Sequence, residues 1–148
     1  MLYEPMLVGS KPYRVGLCDN CNYQSVHCHK EVEILYVVFG EMHLLLNNQP
    51  LVIKTGQAML VESMVKHFVT ATTEGTRFLF LEIGPFFLGK NFDMLAKISC
   101  QKPMNKQEEK TKEIFWLLDE IVGEKKTPTA ESEMIIRGNL YKLTAQLH

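Results

Sequence analysis

A chain of 148 residues, 46% hydrophobic and 22% charged, has the length and composition of one globular domain, or of one domain with a small appendage. Its formal net charge of -1 gives no electrostatic reason for direct contact with nucleic acid or an anionic membrane. No charged leader precedes an apolar segment and no apolar run approaches ~18 residues, so neither export nor membrane insertion is expected and the cytoplasm is the default.

In chain order, an N-terminal arm (Met1 to about Gly16) precedes a segment that reads as all-β. Cys18-Asp19-Asn20-Cys21 has zinc-site spacing; it is either part of such a site or a loop with incidental thiols, which a reducing cytosol would keep free. The stretch from His27 to Gly40 follows. Read as one strand, it places His27, His29 and Glu33 on the same face, continued by Leu35, Val37 and Phe39.

Glu41 to Leu46 and Leu51 to Lys54 flank Asn47-Asn48-Gln49-Pro50, a hairpin signal, because asparagine tolerates the left-handed turn conformation. Strands are expected at Gln57 to Val61, Lys66 to Thr72 and Thr76 to Ile83. The last is almost continuously apolar, the pattern of a strand buried on both faces. Short strands at regular spacing indicate a sandwich or barrel.

After Pro85-Phe86-Phe87 and a short helix over Asn91 to Ile98, the character changes. Lys106 to Glu124 carries Ile114, Leu117, Leu118 and Ile121 at helical spacing, and Thr127-Pro128 is a plausible opening for a second helix. In that helix Ile136, Leu140, Leu143 and Leu147 form an apolar seam, which serves either packing onto the barrel or an intersubunit coiled coil. The division expected is residues 1–100 for arm and barrel, and 101–148 for the helical segment.

His27 to Gly40 fits H-x-H-x3-E-x6-G, and His67 stands eleven residues after Gly56. Both spacings resemble the two motifs of the cupin superfamily. The resemblance implies a double-stranded β-helix (jelly-roll) barrel in which His27, His29, Glu33 and His67 meet. Neutral imidazoles with one carboxylate suit a borderline divalent metal such as Zn, Fe, Mn or Ni. Ser63 stands where proline is usual in the second motif, and Ala71 near where asparagine would close it. A metal-free polar pocket therefore stays open beside a metal site.

A barrel followed directly by two amphipathic helices resembles the N-terminal region of AraC-family transcription regulators. That resemblance implies a non-enzymatic, effector-binding and dimerising unit in which Tyr13 and Arg14 of the arm join His27, His29, Glu33 and His67 around a small metabolite. Ile136, Leu140, Leu143 and Leu147 would then mediate a homodimer. DNA would be bound only through a C-terminal helix-turn-helix domain absent from this chain. The rival reading is a stand-alone metal-dependent cupin enzyme, a dioxygenase or isomerase.

Overall fold

The computed structural model describes residues 2–3, 12–19, 27–28 and 31–148, with backbone alone for 2–3 and 27–28. Among these residues ten strands build two five-stranded sheets. The first sheet has the order β1 (Leu2–Tyr3), β3 (His27–Cys28), β8 (His67–Thr72), β5 (Glu41–Leu46), β6 (Gln49–Lys54). The second has the order β10 (Met104–Asn105), β7 (Gln57–Val61), β4 (Val32–Phe39), β9 (Arg77–Ile83), β2 (Tyr13–Asp19). All pairings are antiparallel except β1 with β3. The architecture is a jelly-roll barrel followed by two long helices, α3 (Lys112–Lys126) and α4 (Ser132–Leu147), as the strand and helix patterning predicts.

Alternation along β4 and β9 explains why their sequences are apolar throughout. Leu35, Val37, Phe78 and Phe80 point into the barrel, where they meet Met42, Leu44, Ile53 and Val69 of the opposite sheet. Ile34, Tyr36, Leu79 and Leu81 point outward, yet they too are buried, because α3 and α4 cover that face with Phe115, Leu118, Ile121 and Leu140. Short helices α1 (Pro85–Leu88) and α2 (Phe92–Ala96) join the same outer core through Phe87, Leu88 and Leu95. The helical segment and the barrel thus share one core, and β10, beyond residue 100, is part of the second sheet.

The hairpin between β5 and β6 turns in two residues. Asn47 and Asn48 have φ of 50° and 66°, the pair of left-handed positions that matches the twist of the flanking strands. β6 resumes at Gln49 and tolerates Pro50 because it is an edge strand.

Four boundaries differ from the sequence expectation. His27 and Glu33 do not share a strand: β3 belongs to the first sheet and β4 to the second, with a bend at Glu31 between them. Alternation of side chains holds within one strand and cannot register a change of sheet. The arm expected to reach Gly16 gives way at Tyr13 to β2, paired along its whole length with β9. The first long helix begins at Lys112 rather than Lys106, because the Lys106 backbone N–H donates to Gly56 O in the strand layer at 2.9 Å. The second begins at Ser132 rather than near Pro128; Ser132 Oγ accepts from the Thr129 backbone N–H at 2.8 Å and donates to Glu124 at 2.7 Å. Among the described residues no helix is long and apolar enough to cross a membrane.

Candidate functional site

Register assembles the polar centre of the barrel. Glu33 on β4 stands opposite Glu82 on β9, and Glu82 stands opposite Arg14 on β2. Three neighbouring strands therefore set Arg14, Glu82 and Glu33 in one row on the inward face. His67, at the start of β8, closes on the row from the other sheet, its Nε2 lying 3.1 Å from Glu33 Oε1. His67 Nδ1 donates to Val65 O at 3.0 Å, and since a carbonyl only accepts, that nitrogen carries a proton. Nε2 is left to face the carboxylate.

All three acidic side chains here are withdrawn from water: Glu31 is 5% exposed, Glu33 2% and Glu82 0%. Burial, reinforced by the neighbouring Glu33 carboxylate, pushes the Glu82 carboxyl up to about 8. The Arg14 guanidinium, 3.4 Å from Glu82 Oε1, pulls the other way but does not win; its side chain is 43% exposed, so water screens it. At neutral pH Glu82 therefore holds a proton. Arg14 also lies over the Phe80 ring, 4.9 Å from its centroid. Gly16, directly opposite Phe80, makes room for that ring, since a Cβ at Gly16 would collide with it.

Of the residues the sequence singles out, Glu33, His67 and Arg14 come together. Tyr13 does not join them. Its ring faces the helices, edge-on to Phe87 at 5.2 Å and beneath the Arg137 guanidinium at 5.4 Å, because alternation turns it away from its neighbour Arg14. The backbone of His27 pairs with that of His67, while the side chain of His27 and all of His29 lie outside the described residues. Ile136, Leu140 and Leu143 are buried within the protomer, and Leu147 packs partly buried against the same core. Cys18 lies in β2; Cys21 is outside the described residues. Glu82, which the sequence leaves facing either the cavity or the surface, faces the cavity and completes the row.

A cupin-type metal would draw on His27, His29, Glu33 and His67. The described residues supply two of these, Glu33 and His67, and no group of three or more His, Cys, Asp or Glu among them is arranged to hold a metal ion. The described donors therefore do not by themselves fit a metal. What they offer is a protonated Glu82 carboxyl beside the Glu33 carboxyl group and the His67 imidazole, a set that can both donate and accept hydrogen bonds.

Residues 22–84 match the family described as cupin domain. The barrel has the cupin fold. Among solved structures, this chain is similar to a cupin 2 conserved barrel domain protein from Leptotrichia buccalis, with 19% identity over 52% of this chain and 38% of that one, at a TM-score of 0.45. It is also similar to a conserved protein of unknown function from Streptococcus pyogenes, with 14% identity over 53% and 70% of the two chains, at 0.46. Bacillus subtilis oxalate decarboxylase, a protein with Mn(II) centres, aligns at 20% identity over 51% of this chain, at 0.43. This chain spans 22% of the length of that decarboxylase. No curated protein sequence matches it.

Among the described residues, a part-buried polar link ties the cupin barrel to its helices. Tyr36, on the outward face of β4, donates its hydroxyl to Asp119 Oδ1 of α3 at 2.6 Å, and Lys106 Nζ meets Asp119 Oδ2 at 2.6 Å. Burial and the Asp119 carboxylate hold the Tyr36 phenol well above its ordinary range, so it remains a donor. Tyr36→Phe removes the bond but keeps the ring against Phe115 at 5.4 Å. Chemical denaturation should show a loss of about 1–2 kcal/mol with an unchanged denaturant slope.

Proposed function

We propose that this chain is the effector-sensing and dimerisation region of an AraC-family transcription regulator. In this reading the cupin barrel binds a small metabolite and controls DNA binding by a helix-turn-helix domain of a longer parent protein. The observation that carries it is the double role of β4. The strand's inward face bears Glu33, and its outward face bears Ile34 and Tyr36, which are packed or hydrogen-bonded to the helices. A ligand that draws on Glu33 acts on a strand whose other side holds α3. Sensing then requires only that the ligand bind one arrangement of barrel and helices more tightly than another.

The residues assign local roles without a reaction. Glu82, protonated, offers a donor to ligand hydroxyl or amide groups beside Glu33, while His67 is held in place by its bond to Val65. Arg14, half in water at the edge of the row, is placed to meet a ligand as it enters.

Metal analysis of protein prepared without added metal, together with a thermal-shift panel of small metabolites, tests the proposal. A saturable rise in melting temperature without turnover supports it, because a ligand confined to the folded state stabilises that state. Near-stoichiometric metal together with turnover of a bound compound establishes the cupin-enzyme alternative instead.

A further inference from the structure

The buried face of α4 is not purely apolar. Ile136, Leu140 and Leu143 share it with Ser132 and Asn139, both buried. A polar group in such a seam costs free energy unless it is hydrogen-bonded. Both are bonded, and both reach across to α3. Asn139 Nδ2 donates to Leu117 O at 3.3 Å and to Glu120 Oε1 at 3.1 Å. A carbonyl and a carboxylate only accept, so it is the amide nitrogen that faces them. Ser132 Oγ donates to Glu124 Oε1 at 2.7 Å. Thr144, also buried on α4, is satisfied within its own helix by Leu140 O at 2.8 Å.

The two cross-helix contacts are spaced alike. Ser132 and Asn139 stand seven residues apart on α4, and Leu117 and Glu124 stand seven apart on α3. Because the helices run antiparallel, a single setting satisfies both pairs. A slide of one turn, about 5 Å, separates Ser132 from Glu124. The same slide carries Asn139 toward Ile114 in one direction and toward Ile121 in the other, where no side chain accepts its hydrogens. The apolar stripe does not choose among these settings, since Ile136, Leu140 and Leu143 recur at every turn; a polar residue in a helical seam does.

We infer that Ser132 and Asn139 lock α4 in one register on α3, so that the two helices move on the barrel as one body. Each helix has its own tie to the layer beneath. Asp119 of α3 accepts from Tyr36 of β4, and the Tyr141 hydroxyl of α4 donates to Phe87 O of α1 at 3.1 Å, its ring stacked on Phe87. A shift of the barrel therefore reaches the pair as a tilt of both helices and not as a slide of α4 past α3. The lock deepens the sensor reading above, and rests on it for its use, by naming the motion that carries the signal.

The test measures register directly. Nitroxides carried on p-acetylphenylalanine at Lys125 and Gln146, exposed positions at opposite ends of the pair, report it as a distance by pulsed electron resonance. A one-turn slide changes that distance by about 5 Å. Glu124→Ala removes the acceptor of Ser132 and leaves Ser132 free to hold the Thr129 N–H. Wild type, Glu124→Ala and Asn139→Leu should each give one narrow distance. Asn139→Leu should also melt no lower than the wild type, because leucine replaces a buried polar group in an apolar seam. The double variant should give a second population displaced by about 5 Å. A double variant as narrow as the wild type overturns the lock, and so does a single variant that broadens as far as the double. Where leucine prevents folding, Asn139→Ala combined with Glu124→Ala carries the same readout. Metal with turnover removes the sensor reading but leaves the wild-type distance narrow, so the two fail separately.

Discussion

Replacing Glu82 with glutamine makes this protein more stable than the wild type at pH 9 and leaves the two nearly equal at pH 5. The Glu82 carboxyl is fully buried, with the Glu33 carboxylate opposite it on the neighbouring strand, and its titration moves from an ordinary 4.5 up to about 8 in the folded chain. Between those two values the folded state keeps a proton that the unfolded chain has released. Stability therefore falls as pH rises across the window, and the full loss is reached above about 8. The loss is on the order of a few kcal/mol, since each unit of displacement corresponds to about 1.4 kcal/mol. Glutamine is neutral throughout and retains a donor toward Glu33, so its profile over pH 5–9 should be flatter. Glu74→Gln, at an exposed turn, serves as the control and should track the wild type. Parallel profiles for wild type and Glu82→Gln, measured by denaturant midpoints at each pH, would show that Glu82 is not protonated in the folded chain.

That prediction depends on a residue the sequence showed without placing. The strand ending in Phe78-Leu79-Phe80-Leu81-Glu82-Ile83 reads as buried on both faces, and it is. A carboxylate inside such a strand has no exposed face to occupy, so its burial was implicit in the pattern. Its partners were not, because they follow from the register of β9 against β4 and β2, which is set by contacts between distant parts of the chain. The hairpin at Asn47-Asn48 was legible for the opposite reason, since its backbone preference is local. The motif spacing correctly brought Glu33 and His67 together, although the route differed. They meet across the two sheets rather than along one, and the single long strand expected from His27 divides at Glu31. Tyr13 and Arg14 show the same limit at the scale of one residue. The sequence reads both as part of an N-terminal arm lining the barrel mouth, where adjacent side chains can converge; in β2 adjacent side chains must diverge.

Leu140→Glu should unfold this protein rather than merely separate subunits. The seam of Ile136, Leu140, Leu143 and Leu147 is legible in the sequence as a packed stripe, but a stripe does not name its partner. In the fold Leu140 and Leu143 are fully buried against α3 and the outer face of the second sheet. Introducing a carboxylate there removes a buried leucine and adds the cost of an unpaired charge, together more than about 4 kcal/mol. Against a total stability of about 5–15 kcal/mol, the melting temperature should fall by roughly 10–15 °C or the transition should vanish. A homodimer through the helices would have to use what the protomer leaves outside, where Trp116 is 55% exposed and Met134 70%. Sedimentation of Trp116→Glu, Met134→Glu beside the wild type separates the two roles. A lower mass with an unchanged melting temperature assigns association to the outward positions and leaves the seam as internal packing. A Leu140→Glu chain that melts like the wild type but sediments as a smaller species would instead return the seam to the subunit interface.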